Sequence, residues 1–356
     1  MRLAVLGVGL IGGSIGLAAR AGGVEVVGFG RSSERLETAR ERGAIDMAAR
    51  SLEDALRGSD ACFCCGPVGS LPVQVQAALD AAGEGCVVSD VGSTKVHVVE
   101  AIGDERFVGG HPVAGAETSG VENARADLFE GAAWYLTPSQ RSSGLLLERL
   151  HRLVRSFGAR PIALDAATHD RLLATVSHLP HVVANVLVAQ AARTLAQEDE
   201  PLPRVGPSFR DATRVAGAST GIWTDIYLAN RVALAEEIDQ TVERLQSVAA
   251  SLRSADADAL GAWNDSARDD RRRLLEADLT GEDVHELRLT VPNRPGIVAQ
   301  VALALGRADV NIVDLALAPA SDNRSGAMTL WIAGDVQAAR AAELIEDRGF
   351  PVQRPS

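Results

Sequence analysis

The first 165 residues alternate two kinds of segment. Short apolar runs, Leu3–Leu6, Val24–Phe29, Ala61–Cys65, Cys86–Asp90, Phe107–Gly109 and Trp134–Thr137, are separated by amphipathic stretches such as Glu34–Arg42 and Leu71–Ala82. Unbroken apolar runs of this length fit strands covered on both faces, and the intervening stretches fit helices. Ser51-Leu52-Glu53-Asp54 adds a helix start, with a capping Ser and an acid three residues on. The alternation predicts an α/β domain built on a doubly wound parallel sheet.

From about residue 166 the strand signal stops. Helical patterns cover Thr168–Gln197 (interrupted by Pro180), Phe209–Ala216, Ile222–Leu252 and Asp256–Ala277, which predicts an all-helical second domain. Its apolar surplus (Val182, Val183, Val186 and Leu187 beside Ile226, Leu228, Val232 and Leu234) predicts packing against another copy, a homodimer. A third unit reads strand Glu286–Val291, helix Gly296–Arg307, strands Val310–Ala318 and Gly326–Ala333, and helix Val336–Arg348. That order is the order of a small ferredoxin-like α+β module. The domain boundaries so read are 1–165, 166–280 and 284–356.

Composition narrows the function. The balance 35 − 47 = −12 argues against a nucleic-acid or anionic-membrane surface. No run of about 18 apolar residues points to a membrane span, and Arg2 leads into glycine-rich sequence without a signal-peptide cleavage pattern. With four Cys in 356 residues, the expected setting is a reducing cytoplasm. Arg outnumbers Lys 34 to 1, and the single Lys is Lys95. Codon bias explains the ratio, and a Lys that survives it has a better than average chance of a role.

The opening strand runs into Gly7-Val8-Gly9-Leu10-Ile11-Gly12, a Gly-x-Gly-x-x-Gly turn that opens a helix and marks the Rossmann-type nucleotide site. Gly7 permits the tight turn, Gly9 lets backbone approach a pyrophosphate, and Gly12 allows helix to pack on strand. Free N–H groups at Leu10 and Ile11 face the phosphates. The second strand ends in Gly30-Arg31-Ser32-Ser33 without the acid that would hold a ribose 2′-OH and repel a 2′-phosphate. Arg31 and Ser32 could receive that phosphate, so the cofactor is NAD or NADP. Cys62, Cys64 and Cys65 lie along one strand with side chains on opposite faces, so they read as buried apolar groups, and no metal is expected.

Polar residues concentrate where strands end, which is where open parallel sheets bind ligands. Ser89–Lys95 follows one strand and Gly109–Gly120 follows the next. His111, between Gly110 and Pro112, is the general-base candidate, because imidazole titrates near neutral pH. In the helical region His178 and His181 lie three apart. Arg210 and Arg214 lie four apart on one helical face, a guanidinium pair suited to clamping a carboxylate.

These segments together resemble the prephenate/arogenate dehydrogenase family of tyrosine biosynthesis. The motifs are Gly7–Ser14, Asp90–Lys95, His111–Gly120, Ser177–His181 and Phe209–Arg214, all in the family's order. The last unit, with Asn293-Arg294-Pro295-Gly296 after its first strand and Val310-Asn311-Ile312 at the next, resembles an ACT regulatory domain. The resemblance implies NAD(P)-dependent oxidative decarboxylation of prephenate. His111 would accept the C4 hydroxyl proton, and Ser93 would orient His111 or bridge substrate and nicotinamide. Arg214 would bind a carboxylate, while Glu117, His178, His181, Arg210 and Trp223 line the pocket. Lys95 would be catalytic or simply paired with Asp90. Asn293, Gly296, Asn311 and Ile312 would hold an amino-acid effector such as tyrosine. The alternatives are an arogenate dehydrogenase, a β-hydroxyacid-type dehydrogenase, which would use a Lys in the helical region, and a non-enzymatic sensor of dinucleotide and amino acid.

Overall fold

The computed structural model describes residues 1–114, 118–195, 205–277, 284–292, 297–306, 308, 310, 312–319 and 325–353. The chain forms two compact units, 1–242 and 243–356. The first holds an eight-stranded sheet: β1 (Arg2–Leu6), β2 (Glu25–Phe29), β3 (Met47–Ala48), β4 (Ala61–Cys64), β5 (Val87–Asp90), β6 (Phe107–Pro112), β7 (Ala133–Thr137) and β8 (Arg160–Ala163). The strand order is β3-β2-β1-β4-β5-β6-β7-β8. The order reverses at β1, so crossovers wind in both directions and helices cover both faces. Packing follows the strand period of two. Leu3, Val5, Ala61, Phe63 and Val87 enter one core, and Ala4, Leu6, Cys62, Cys64 and Val88 enter the other.

The expected all-parallel sheet needs correction, because β6 and β7 pair antiparallel. The described residues between them, 113–114 and 118–132, contain no α-helix to carry the chain back across the sheet. β7 therefore starts at the end where β6 stops and must run the opposite way. This pairing also lengthens β6 beyond the expected Gly109. His111 lies on the strand opposite Tyr135, not in the loop after it. The thiols lie on opposite faces, as expected, with Cys65 packed against the first core. Cys62 and Cys64, two apart, share one face with Cys86, and all four thiols are free. No group of three or more metal-binding side chains occurs among the described residues.

The helical region opens with one run, Ala166–Leu173, a π turn Ala174–His178, and Leu179–Leu195. Pro180 does not end it. Proline has no N–H and its ring presses on the carbonyl four residues back, and the wider π turn just before it absorbs both defects. The stretch Ala166–Thr194 is, contrary to expectation, long and apolar enough by composition to cross a membrane, with a mean hydropathy of 1.6 over its most apolar window. Its buried polar side chains, described below, instead tie it to the sheet. The expected single helix Ile222–Leu252 is two, Thr220–Ala229 and Arg231–Arg253, broken at buried Asn230. Of the residues expected to meet a second copy, Val183, Val186, Leu187, Leu228 and Val232 are exposed, whereas Ile226 and Leu234 are buried.

The second unit contains β9 (Val284–Pro292), β10 (Ile312–Pro319), β11 (Ser325–Ala333) and β12 (Val352–Gln353). They form an antiparallel sheet in the order β10-β11-β9-β12, with helices Ile297–Gly306 and Asp335–Glu346. Alternate residues of β9 (Leu287, Leu289, Val291) and β11 (Met328, Leu330, Ile332) are buried with Val301, Leu305, Ala341 and Ile345 from the helices. The short edge strand β12 lay below what apolar patterning can reveal.

Candidate active site

β1, β4, β5 and β6 are parallel neighbours, so their carboxyl ends lie along one edge of the sheet. That edge carries the glycine turn after β1, Ser93–Lys95 after β5 and His111 at the end of β6. Gly7 has φ +103°, which only glycine adopts without strain. A Cβ on Gly12 would sit 2.2 Å from the Gly7 carbonyl oxygen, whereas nothing lies within 4 Å of one on Gly9. Gly9 caps the helix Leu10–Ala21 without any side-chain hydrogen bond. The turn therefore keeps an open backbone cradle and uncommitted N–H groups at a helix start, which fits a pyrophosphate. Arg31 at the end of β2 is exposed, and Ser32 caps the next helix by accepting from Arg35 N at 3.2 Å.

His111 is buried and held by a chain of hydrogen bonds that sequence reasoning missed. Its Nδ1 lies 2.8 Å from Nε2 of His169. His169 Nδ1 lies 2.7 Å from Oδ1 of Asp170, and both residues come from the helix Ala166–Leu173. The Asp170 carboxylate also accepts the backbone N–H groups of Lys95 (2.7 Å) and Val96 (2.9 Å). An ionised carboxylate only accepts, so His169 carries its proton on Nδ1 and offers a lone pair at Nε2. His111 must then donate from Nδ1, which leaves its own Nε2 as the proton-accepting nitrogen. Burial, with the neighbouring His169, Lys95 and His178, pushes the His111 imidazole well below the usual histidine range. The ring is neutral and competent as a base at neutral pH.

A second set of side chains continues from this relay. Asn230 Nδ2 donates to the Asp170 carbonyl (2.7 Å) and lies 3.1 Å from Nδ1 of His178. With its amide fixed by two acceptors, Asn230 leaves His178 protonated on Nε2, a donor. The His181 ring stacks on Trp223 at 3.5 Å and 7°. Its Nδ1 bonds the Tyr227 hydroxyl, and its buried Nε2 has no partner among the described residues. Burial pushes His178 down to about 4 and His181 down as well.

The depressed His178 value makes folding stability depend on pH. Between about 6.5, the unfolded value, and about 4 the unfolded chain binds more protons than the folded one. Stability therefore falls as pH drops through that window, by up to about 1.4 kcal/mol per unit, and levels off below it. Thermal melts at pH 7.5, 6 and 5 should show this slope, and His178→Gln should reduce it, with the depressed His111 and His181 supplying the remainder. An unchanged slope in the variant would remove His178 as the cause.

The other expected site residues fall as follows. Ser93 is half-buried in the turn after β5, but the hydrogen bond that orients His111 comes from His169. Arg210 Nη2 bonds the Val205 carbonyl at 3.1 Å, and Arg214 caps the helix Pro207–Thr213 with its side chain exposed. Glu117, Asn293, Gly296 and Asn311 lie outside the described residues, and Ile312 begins β10. His169, Asp170, Asn230 and Tyr227 were missed. One signal was available: four of the seven histidines cluster in this network, and His169 stands beside an acid just inside a helix start.

Comparison with known proteins agrees with this geometry. The family model described as prephenate dehydrogenase, nucleotide-binding domain, matches residues 15–163, and the one described as prephenate dehydrogenase, dimerization domain, matches 165–264. A prephenate dehydrogenase of Bacillus subtilis is 30% identical over 96% of this chain and 95% of its own length. The structure of prephenate dehydrogenase from A. aeolicus in complex with hydroxyphenyl propionate and NAD+ is similar with TM-score 0.70 and 28% identity, over 77% of this chain and 98% of that one. Synechocystis arogenate dehydrogenase is similar with TM-score 0.69 and 26% identity, over 77% of this chain and 100% of that one. On this fold, this relay and a relative matched along almost its whole length, the chain belongs to the prephenate dehydrogenase family.

Proposed function

We propose that the chain catalyses the NAD(P)-linked oxidative decarboxylation of prephenate to 4-hydroxyphenylpyruvate. The observation that carries this is the buried Asp170–His169–His111 relay, which presents an unprotonated Nε2 on the same sheet edge as the glycine cradle. When bound at Gly7, Gly9 and Gly12, the dinucleotide supplies the hydride acceptor. His111 takes the proton of the C4 hydroxyl as C4 is oxidised. The ring carbonyl so formed draws in the electron pair of the bond to the ring carboxylate, CO2 leaves, the ring becomes aromatic, and the C4 oxygen, now a phenolate, takes back the proton held by His111. The His111 imidazolium is stabilised through His169 by the Asp170 carboxylate. His178 and His181 offer neutral N–H donors to the substrate, and Arg214 binds a carboxylate. A catalytic Lys of the β-hydroxyacid kind has no candidate, because the only lysine, Lys95, is fully buried in an ion pair with Asp90.

Steady-state kinetics with prephenate and arogenate, each with NAD and NADP, tests this reading. Turnover of prephenate supports it, and no turnover of either substrate with either cofactor rejects it. Arg31, with no acid beside it at the end of β2, supports acceptance of NADP. Arg214→Gln should raise KM for prephenate about 10- to 100-fold with kcat nearly unchanged, the size of a lost charged hydrogen bond. An unchanged KM would remove Arg214 from the site.

The exposed Val183, Val186, Leu187, Leu228 and Val232 support a homodimer. The βαββαβ order of the second unit supports an ACT-like regulatory module that responds to an amino acid, with tyrosine as the effector to test.

A further inference from the structure

Lys95 is wholly buried beneath His111, and the proposed chemistry does not use it. Its Nζ bonds the Asp90 carboxylate and donates to the Gly110 carbonyl at 2.7 Å. Asp90 in turn accepts the Gly110 N–H at 3.1 Å and the Gly92 N–H at 2.8 Å. One ion pair thus grips both the N–H and the C=O of the residue that precedes His111. Gly110 leaves no slack, since a Cβ there would lie 2.6 Å from the Asp90 carbonyl oxygen and 2.7 Å from Ser89 Oγ. The same lysine acts from the other side through its backbone. Its N–H, with that of Val96, holds the Asp170 carboxylate that aims His169 at His111.

We propose that Lys95, paired with Asp90, is a positioning residue for the proton-accepting imidazole, fixing the backbone before His111 with its side chain and the carboxylate behind His169 with its main chain. A buried pair is seldom retained for stability alone, since apolar replacements of similar size often match it. Here its oriented donor and acceptor satisfy the N–H and C=O on either side of one residue, Gly110, which an apolar pair would leave unbonded. The inference rests on the reading of His111 as the base.

Lys95→Met and the double variant Asp90→Asn/Lys95→Met test it. The double variant removes both charges and so keeps the test open where Lys95→Met alone fails to fold. A misplaced base should lower kcat about 100-fold. KM for prephenate and Kd for NADH should stay within about threefold, because the glycine cradle and the helical side chains are untouched. Nitrogen NMR of labelled histidine gives a readout that does not depend on turnover. His169, His178, Tyr135 and Lys95 surround the His111 ring, with Asp170 behind His169 and Asp90 paired to Lys95. In the unaltered protein the ring should show one tautomer, protonated on Nδ1, and the variants should show a mixture. An unchanged nitrogen spectrum, a kcat within about threefold of the parent, or NADH affinity lost in step with kcat would each overturn the proposal. Absence of prephenate turnover in the parent protein would instead strike the functional reading, leaving the NMR arm to judge Lys95.

Discussion

Replacing His111 with Asn should lower kcat by about 10²–10⁴-fold, the usual contribution of a positioned proton-transfer group. KM for prephenate should change little. Asn keeps a donor toward His169, and the proton of the C4 hydroxyl moves only in the transition state, so the loss belongs to kcat. The pH profile should change with it. In the parent, protonation of His111 removes the base, and burial holds its imidazole well below the usual range. Activity should therefore persist to pH values below those of an ordinary histidine and fall only under more acid conditions. In the Asn variant that acid limb should vanish. Steady-state kinetics from pH 5 to 9 measures both effects. A variant that keeps more than about a tenth of parental kcat would mean that His111 is not the base.

Asp170→Asn should produce the second-largest loss, about 100-fold in kcat, with no substrate contact removed. The mechanism is electrostatic. Asp170 accepts from His169 Nδ1 and from the N–H groups of Lys95 and Val96. Oδ1 accepts from both His169 Nδ1 and the Lys95 N–H, whereas Oδ2 accepts only from the Val96 N–H, so the Asn carbonyl oxygen takes the Oδ1 place and the NH₂ is left facing the Val96 N–H. The neutral amide no longer stabilises the imidazolium that forms on His111, and its NH₂ meets the Val96 N–H donor to donor, which loosens the hold on His169. Asp170→Glu keeps the charge and should restore part of the rate. The diagnostic outcome is a fall in kcat with NADH affinity intact. Equal activity in the parent and the Asn variant would show that the carboxylate does not stabilise the protonated base.

The parallel core was legible because burial on both faces erases alternation and leaves bare apolar runs such as Leu3–Leu6 and Ala61–Cys65, which few other structures produce. The glycine turn was legible for a similar reason, since a positive φ at Gly7 and contact at Gly12 leave no other residue type. The antiparallel return of β7 was not. Its apolar pattern is the same in either direction, and direction depends on how residues 113–132 cross the sheet end. The split at Asn230 was hidden because Asn is tolerated in helices. Only the carbonyl of Asp170 and the ring of His178, 60 and 52 residues away in sequence, explain why the helix breaks there.

Local chemistry thus determined which residue types this protein offers: a phosphate cradle, an imidazole at a strand end, guanidiniums and imidazoles on helices. Spacing within one segment expresses such constraints directly. Tertiary structure decided which of them act together. His111 is joined to His169 across 58 residues and Lys95 to Asp170 across 75, and no periodicity records a hydrogen bond between a strand end and a distant helix. Proton position follows from such bonds, so a candidate base could be read from the sequence, whereas the nitrogen it leaves open to accept a proton could be assigned only in the folded chain.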